Sequence, residues 1–189
     1  MSAADLAALE ARLTEVQDRL ALRELIARYC LAIDDRDLAT LSGLFAPDAF
    51  FGSADRAMGA TGREAVLRQF EARYAAMGAS NHVNHDQVLE FDGPGRARGR
   101  VSLHAEVWRN GKAMITAIRY LDRYVKLDGR WYFAERLLSM MYYLPVEEYR
   151  EAMGVLERNR ASGQALPADW PERMPTWRDY RPSGGGAAS

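Results

Sequence analysis

Tight-turn signals in the second half of the chain constrain its fold more than any other feature. The pairs Asn110-Gly111 and Asp128-Gly129 supply residues that adopt positive φ, as two-residue hairpins require, and residues 92–95 (Asp-Gly-Pro-Gly) form a third signal. Between these turns, apolar and polar side chains alternate with a period of two, which is typical of strands. Four long strands are therefore predicted, each the antiparallel neighbour of the next: residues 81–91, 97–109, 113–127 and 130–143.

The first part of the chain has helical periodicity instead. Apolar residues recur at spacings of three and four from Leu6 to Ile33, which predicts one long helix. The start of this helix carries a narrow heptad seam, which suits packing against another subunit or against the wall of the domain. The seam consists of Leu6, Leu9, Leu13, Val16 and Leu20. This pattern supports self-association of the chain into a homo-oligomer.

Shorter elements follow the long helix. Asp37 can cap a second helix over residues 38–45, which an Ala-Pro pair ends, and residues 48–52 are predicted as a short strand. A third helix is predicted to begin at Thr61, whose partner three residues later is a glutamate, and to continue to about Met77. Helices followed by long hairpin-connected strands indicate an α+β domain, with the helices on one side of a curved, mainly antiparallel sheet. The interior of such a sheet is the expected ligand pocket.

The C-terminal part of the chain has no strand pattern. Residues 146–160 are predicted to form a helix, and residues 166–189 are expected to be irregular, with 184–189 disordered. We therefore expect one domain over residues 1–145, with 146–189 as a C-terminal helix and tail that extend it.

Composition argues against several classes of partner. The 25 Lys and Arg residues nearly balance the 26 Asp and Glu residues, so no net field attracts the protein to nucleic acid or to an anionic membrane. No apolar run approaches the ~18 residues of a membrane span, and the N-terminus lacks the pattern of a signal peptide. The single cysteine, Cys30, excludes an intramolecular disulfide and a thiolate-rich metal site. These features predict a cytoplasmic protein with no nucleic-acid or membrane partner.

Acidic residues are grouped at the end of the long helix. Tyr29 and Ile33 share a helical face, and Asp34 follows about 100° further round, so its carboxylate can border the same apolar surface. A carboxylate that faces water is the alternative reading of Asp34. Asp35 and Asp37 are interpreted as a solvated charge and a helix cap.

Polar residues occupy both faces of the first predicted long strand. Alternation places His82 and Asp86 on one face and His85 on the other, which indicates that one face lines a wet cavity. Histidines at a surface strand end are the alternative. A three-histidine metal site that includes His104 would need a bulge in the strand, and no metal is predicted.

Later strands supply further candidates for the wall of a pocket. His104 lies on a polar strand face that either meets solvent or lines the pocket. The hydroxyl of Tyr120 can donate a hydrogen bond to a substrate oxygen, and Met140 and Tyr142 suit a pliable apolar wall. The sequence contains no GxGxxG, GxxxxGK or GxSxG motif. Acid/base chemistry by a His-Asp pair, without metal or cofactor, is what remains.

Several short motifs resemble those of one superfamily in their order and spacing. They are residues 28–37 (RYCLAIDDRD), 41–48 (LSGLFAPD), 61–65 (TGREA), His82, 92–93 (DG) and 128–133 (DGRWYF). Over about residues 15–143, the chain resembles the SnoaL-like branch of the nuclear transport factor two-like superfamily. The resemblance implies a cone-shaped α+β barrel.

The resemblance also implies a catalytic pair. In the lyases of this family, which include dehydratases and a dehydrochlorinase, an aspartate on the first helix and a histidine on the following sheet correspond to Asp34 and His82. In the bile acid dehydratase of the family, a helix tyrosine corresponds to Tyr29 and a second histidine to His85. An arginine of that enzyme near the end of the last strand corresponds to Met140.

We therefore predict a cofactor-independent lyase of the dehydratase type that acts on a small hydrophobic substrate, alicyclic or polycyclic, steroid-like or polyketide-like. The alternatives are an isomerase or cyclase that uses the same pair, and a non-catalytic ligand-binding or assembly subunit. By family analogy, the homo-oligomer is a trimer or a dimer. The predicted catalytic residues are Tyr29, Asp34 and His82, and the predicted substrate-binding residues are His85, Asp86, His104, Tyr120, Met140 and Tyr142.

Overall fold

A six-stranded sheet curls around three helices within residues 1–180, which the computed structural model describes. The strands are β1 (Phe45–Ser53), β2 (Gly59–Thr61), β3 (Met77–Phe91), β4 (Arg96–Arg109), β5 (Lys112–Leu127) and β6 (Arg130–Pro145). The helices are α1 (Ala3–Asp34), α2 (Leu38–Leu44), α3 (Arg63–Tyr74), and the short α4 (Tyr149–Ala152) and α5 (Pro175–Asp179). The strand order is β2-β1-β6-β5-β4-β3, with β1 and β6 parallel and all other neighbours antiparallel. The predicted α+β fold class, a cone-shaped barrel, is confirmed.

The predicted hairpins join β3 to β4, β4 to β5 and β5 to β6. At two of these turns both central residues have positive φ, with 51° and 76° at Asn110 and Gly111, and 48° and 79° at Asp128 and Gly129. In this geometry the twist of the turn matches the twist of the flanking strands, and Asn, Asp and Gly tolerate it best. The turn residues therefore select antiparallel pairing for the four long strands.

The helices cover the concave face of the sheet, and the core lies between the two layers. Helix α1 contacts β3 and β6, while α3 contacts β1 and β2. The apolar stripe of α1 is buried from Leu22 onward, with Ile26 and Tyr29 almost inaccessible to solvent. On β4, alternate residues such as Val101 and Leu103 face the core, and the residues that alternate with them face outward. Removal of this apolar surface from water is the main favourable term in folding.

The N-terminal part of α1 is exposed in the isolated chain. Ser2 caps the helix and forms a capping box with Asp5. The predicted heptad seam presents its side chains to solvent, each about half exposed: Leu6, Leu9, Leu13, Val16 and Leu20. Although α1 has 32 residues, neither it nor any other helix within residues 1–180 is apolar enough to cross a membrane.

A bulge interrupts the alternation of β3. Between Asn84 and Gln87, β3 has one residue more than the opposing stretch of β4. His82, which precedes the bulge, faces the interior, and regular alternation from it leaves His85 exposed. Because of the bulge, the next residue, Asp86, is exposed as well. The inward-facing positions change from even to odd numbers at this point.

Two further bulges lie in β6, where Ala134 and Met141 are extra residues relative to β5. Before the first bulge, Phe133 faces the core. Between the two bulges the inward positions are even-numbered, so Arg136 points into the barrel. After the second bulge the order reverses again, and Tyr143 faces the interior. Each insertion therefore exchanges the inner and outer faces of the strand.

The third helix is shorter than predicted. Thr61 is not its N-cap, because pairing with Phe50 of β1 draws its backbone into β2. Gly62 instead precedes the first helical residue, with φ of 88° and no side-chain capping bond. The helix ends at Tyr74, and Met77 is already the first residue of β3. Strand pairing at both ends overrides the local helical signals.

The predicted helix over residues 146–160 is wrong for most of its length. Only a 3-10 turn (Val146–Glu148) and the single turn of α4 are helical. The following residues are irregular up to α5, a short helix in a region predicted to lack one. The predicted disorder of residues 184–189 lies outside the described residues.

The segment after α4 is irregular because it pairs with the edge of β6. Strand β1 pairs with β6 only as far as Leu138. Beyond that point, the N–H of Tyr143 donates to the carbonyl of Arg158 at 3.0 Å, and the N–H of Arg160 donates to the carbonyl of Tyr143 at 2.8 Å. This segment therefore satisfies backbone groups that β1 leaves unpaired.

Gly52→Ala is expected to lower the free energy of unfolding by about 1–3 kcal/mol, because β1 and β2 approach too closely there for a methyl group. A Cβ on Gly52 would overlap the Met58 carbonyl oxygen and lie 2.8 Å from the Cα of Gly59. Gly43 in α2 is the matched control, since a Cβ there meets no atom within 4 Å and alanine favours helix. Urea unfolding should give a lower midpoint for Gly52→Ala and an equal or higher one for Gly43→Ala. An unchanged midpoint for Gly52→Ala would contradict this packing.

Candidate active site

A cavity of about 220 Å³ lies between the concave face of the sheet and helices α1 and α3. The register of the strands shows the order in which the lining residues follow one another along the cavity. Met77 and Arg109 pair at the open end, His82 lies further in, opposite Ala105, and Tyr120 lies near the floor. Most of the wall is apolar or aromatic, and a few polar side chains project from it.

Asp34 and His82 form the central contact of the cavity. Nδ1 of His82 lies 2.6 Å from Oδ1 of Asp34, and Oδ2 of Asp34 accepts the backbone N–H of His82 at 2.7 Å. The hydroxyl of Ser80 donates to Oδ1 at 2.7 Å. The two side chains are mostly buried, with His82 10% and Asp34 17% exposed. The last residue of α1 is thus bound to β3 through its carboxylate.

This contact determines the charge and tautomer of the pair. Burial alone would raise the pKa of Asp34, but hydrogen bonds from the ring and amide of His82 and from Ser80 lower it below the ordinary value. Asp34 is therefore a carboxylate at neutral pH. Nδ1 of His82 carries a proton and donates it in the hydrogen bond that the carboxylate accepts. Within residues 1–180 no polar group engages Nε2 of His82, so this nitrogen is available as a base in the cavity.

Tyr29 and Tyr120 form the floor of the cavity. Their rings meet edge to face with centroids 5.9 Å apart, and both residues are almost fully buried. Burial raises the pKa of both phenols, that of Tyr29 well above its ordinary value. The two hydroxyls are therefore protonated at neutral pH and can donate hydrogen bonds to an oxygen in the cavity.

A buried ion pair lies behind these tyrosines. Nε of Arg136 is 3.5 Å from Oδ1 of Asp122, and both side chains are fully buried. The guanidinium carbon lies 4.0 Å from the ring centroid of Tyr29 and 3.7 Å from that of Tyr120. None of its nitrogens has a hydrogen-bond partner among the described residues. A positive charge is therefore held directly against the aromatic floor.

Four of the predicted site residues line the cavity, and a fifth contacts one of them. Tyr29, His82, Tyr120 and Met140 are part of the wall, and Asp34 reaches it through His82. Tyr29 and Tyr120 come from opposite layers, one from α1 and the other from β5. The residues that the sequence analysis selected from the long helix and three strands thus meet in one place.

His85, Asp86 and His104 lie outside the cavity, and their predicted placement on its wall is wrong. The bulge in β3 turns Asp86 to solvent, while regular alternation turns His85 outward on β3 and His104 outward on β4. Nε2 of His85 contacts Nδ1 of His104 at 2.8 Å on the outer face of the sheet. Within residues 1–180, no cluster of three or more His, Cys, Asp or Glu residues could hold a metal ion.

Tyr142 is also wrongly placed by the sequence analysis, and Tyr143 occupies the inward position instead. The bulge at Met141 reverses the alternation after Met140. Tyr142 is buried on the outer face, where its ring meets that of Tyr149 edge to face at 5.3 Å. Tyr143 lines the cavity.

Three arginines at or behind the cavity were not selected from the sequence. Arg73 lies on the inner face of α3, and Arg109 continues the inward positions of β4, so helical and strand periodicity could have indicated both. Arg136 had no such signal. Alternation from Phe133 points it outward, and only the extra residue Ala134 turns it inward.

Comparison with known proteins gives consistent matches over this barrel. A family model described as a SnoaL-like domain matches residues 14–137. A candidate scytalone dehydratase from Novosphingobium aromaticivorans is 25% identical, with a TM-score of 0.65 over 70% of this chain and 89% of that one. The hexachlorocyclohexane dehydrochlorinase LinA type 2 is 20% identical, with a TM-score of 0.67 over 71% and 93%. A variant of Rv3472 from Mycobacterium tuberculosis, of unknown function, is 27% identical, with a TM-score of 0.60 over 74% and 78%.

The losses of stability on removing Asp122 and on removing Arg136 should not be additive, because the two buried groups are coupled. Asp122→Asn leaves a buried guanidinium without a counter-charge, and since arginine keeps its proton we expect a loss of about 3–5 kcal/mol in unfolding free energy. Arg136→Met should cost less, because Asp122 can neutralise itself by taking up a proton. The double variant should lose less than the sum of the single losses, which urea unfolding measures. Additive losses would contradict this coupling.

Arg136→Met should also make stability depend more strongly on pH than it does in the wild-type protein. Burial raises the pKa of Asp122 from 3.8 to about 6 despite the opposing effect of Arg136, so removal of the arginine raises the pKa further. The folded state then holds a proton that the unfolded chain has released, and stability must fall as pH rises above about 4 and through 6. The variant that also carries Asp122→Asn lacks this group and is the control. Equal slopes for the two variants between pH 5 and 7 would show that Asp122 does not titrate in this way.

Proposed function

The chain belongs to the SnoaL-like domain family, and we propose that it is a cofactor-independent lyase of the dehydratase type. One observation carries the proposal: Asp34 and His82 lie in 2.6 Å contact at the wall of a largely apolar cavity. Histidine is the most common general base in proton transfer, and an adjacent carboxylate is its usual partner. Two structures of similar fold bear the names of a dehydratase and a dehydrochlorinase, both of which denote elimination.

In the proposed elimination, Nε2 of His82 removes a proton from a substrate carbon. The electron pair of the broken C–H bond forms a C=C bond, and the C–O bond to the leaving hydroxyl breaks. Asp34 keeps Nδ1 of His82 protonated and stabilises the imidazolium that forms. The imidazolium then gives its Nε2 proton to the departing oxygen, which leaves as water, and both residues return to their starting state.

The floor of the cavity supplies hydrogen bonds for this step. Tyr29 or Tyr120 donates its phenolic proton in a hydrogen bond to the substrate oxygen on which negative charge develops. Arg136, which lies behind both rings, acts as a positioning residue, and its positive charge favours the same charge development. Because the cavity is largely apolar, these interactions are stronger than they would be in water.

The size of the cavity limits the substrate. A volume of about 220 Å³ is smaller than the ~300–1,000 Å³ of pockets that hold drug-sized ligands. We therefore propose a compact alicyclic or bicyclic substrate, at the smaller end of the range that the sequence analysis considered. A complete steroid skeleton would need more room than the cavity has.

The geometry favours an enzyme over a non-catalytic binding subunit. A subunit that had lost the chemistry would be free to separate Asp34 from His82 or to fill the cavity with aromatic side chains. Instead the two residues are in contact, and His82 lines open space in the cavity. An isomerase would use the same pair to return the proton to a different carbon, so the identity of the product distinguishes it from a lyase.

His82→Gln is expected to lower turnover by at least about 10²–10⁴-fold, because a glutamine amide cannot act as a base. Cyclic β-hydroxy ketones are suitable test substrates, since loss of water gives a conjugated enone whose absorbance is easily followed. His104→Gln is the matched control, because His104 lies on the outer face of the sheet and its replacement should leave activity unchanged. Undiminished turnover in a correctly folded His82→Gln protein would refute the assignment.

We also propose that the exposed seam of α1 joins copies of the chain. Its five aliphatic residues keep heptad spacing and are about half exposed. Leu9→Glu combined with Leu13→Glu should lower the mass measured by light scattering to that of a monomer. The control carries Ala8→Glu and Ala11→Glu on the other side of the helix and should keep the wild-type mass. A monomeric wild-type protein would rule out this association, and its mass otherwise distinguishes a trimer from a dimer.

The state of Cys30 supports a reducing compartment. It is a free thiol, buried in the core against the interior face of α1. A chain whose only cysteine is buried and forms no disulfide gains no stability from an oxidising environment. We therefore propose that the protein works in the cytoplasm.

A further inference from the structure

Two arginines in the wall of the cavity have no acidic partner. Arg73 projects from α3 and Arg109 from β4, and both line the cavity wall. Twelve ion pairs occur among the described residues 1–180, and neither arginine takes part in any of them. An unpaired positive charge beside an apolar cavity is costly unless a ligand neutralises it.

Aromatic rings hold both guanidinium groups in place. The guanidinium carbon of Arg73 lies 5.0 Å from the ring centroid of Phe51 and 5.7 Å from that of Phe70. That of Arg109 lies 5.7 Å from the ring of Tyr143. These contacts orient the two groups without neutralising them, so their N–H donors remain available.

The two charges act on each other. Burial lowers the pKa of Arg73, and the nearby charge of Arg109 adds to this effect, while Tyr29 and Tyr120 oppose it. Two positive groups that repel each other at a partly buried site create a favourable position for an anion between them. A planar carboxylate matches the arrangement of donors on a guanidinium better than most anions of similar size.

Arg109 and the acid/base pair lie at different depths. Arg109 is four residues along β4 from Ala105, which pairs with His82. At the rise of a strand this separates the two levels by about 13 Å of backbone, enough for a ring system between them. A molecule that fits the cavity can therefore present a charged group to the arginines and an apolar ring to His82.

The opening continues into a groove outside the barrel. Arg109, Tyr143 and Ala161 line both the cavity and this groove, which has a volume of about 290 Å³. Lys112 also borders the groove and forms none of the ion pairs among residues 1–180, whereas Glu148 on the same wall pairs with Arg160. Uncompensated positive charge therefore extends from Arg73 and Arg109 in the cavity wall to Lys112 in the groove.

We propose that the substrate bears a carboxylate and that Arg73 and Arg109 bind it at the open end of the cavity. The carboxylate anchors one end of the molecule, and its ring extends inward toward His82 and the tyrosine floor. This orientation rests on the proposed lyase function, whereas binding of the carboxylate does not. The substrate class is thus a compact cyclic carboxylic acid rather than a neutral ring compound.

Binding of a matched pair of probes tests this subsite directly. Cyclohexanecarboxylate and cyclohexanecarboxamide have nearly the same shape, and only the first is charged at neutral pH. Isothermal titration calorimetry should show that the wild-type protein binds the carboxylate about 10- to 100-fold more tightly than the amide, the range expected for a charge-assisted hydrogen bond. Equal affinities would overturn the proposal.

Variants show whether the two arginines cause the preference. Arg73→Gln and Arg109→Gln should each reduce the ratio of the two affinities about tenfold, and Arg73→Lys should retain part of it. Arg100→Gln, on the exposed outer face of β4, should leave the ratio unchanged. If the preference survives in correctly folded Arg73→Gln and Arg109→Gln proteins, the carboxylate binds elsewhere and the subsite is refuted.

The same measurement separates this subsite from the proposed catalysis. His82→Gln should keep the full preference for the carboxylate, because His82 does not contact the anion. If no substrate is turned over but the arginine-dependent preference is present, the subsite stands and the lyase function fails. If turnover of neutral ketones depends on His82 but the preference is absent, the lyase function stands and the subsite fails.

Discussion

The structure of this barrel depends on which side chains of each strand face its interior and which face outward. If alternation were regular, the inward-facing residues of each strand would be all even-numbered or all odd-numbered. Single-residue bulges change that pattern: one in β3 turns Asp86 out, the first in β6 brings Arg136 inside, and the second in β6 returns Tyr143 to the interior. The charge and shape of the cavity therefore follow from where the strands gain one residue.

Local signals predicted much of the fold, because turn residues and side-chain periodicity act over a few residues. Asn110-Gly111 and the long strands that it joins are examples, and family resemblance brought Asp34 and His82 together. The signal at Thr61 failed because a capping box cannot compete with strand pairing that involves a residue distant in sequence. Bulges and edge pairing depend on such distant partners, so the inward position of Arg136 could not be read from its own neighbourhood.

Asp34 connects the chemistry of the site with the stability of the fold. Its carboxylate accepts hydrogen bonds from the ring and the amide of His82 and from Ser80, so it joins the end of α1 to the beginning of β3. The pKa of Asp34 is lowered, so this stabilisation is present above the ordinary pKa of an aspartate and is lost as pH falls through the lowered value. The groups that orient the proposed base are thus also a structural link between the two layers.

The segment that follows α4 has a consequence for how such proteins diversify. It pairs with β6 only beyond the end of β1, the carboxylate of Asp169 accepts the N–H of Met140 at 2.7 Å, and Ala161 borders the mouth of the cavity. Asp34 and His82 belong to elements that precede this segment in the chain. Insertions, deletions or exchange of the segment can therefore remodel substrate admission while the inherited acid/base machinery remains intact. Selection can act on specificity and on chemistry as two nearly independent traits.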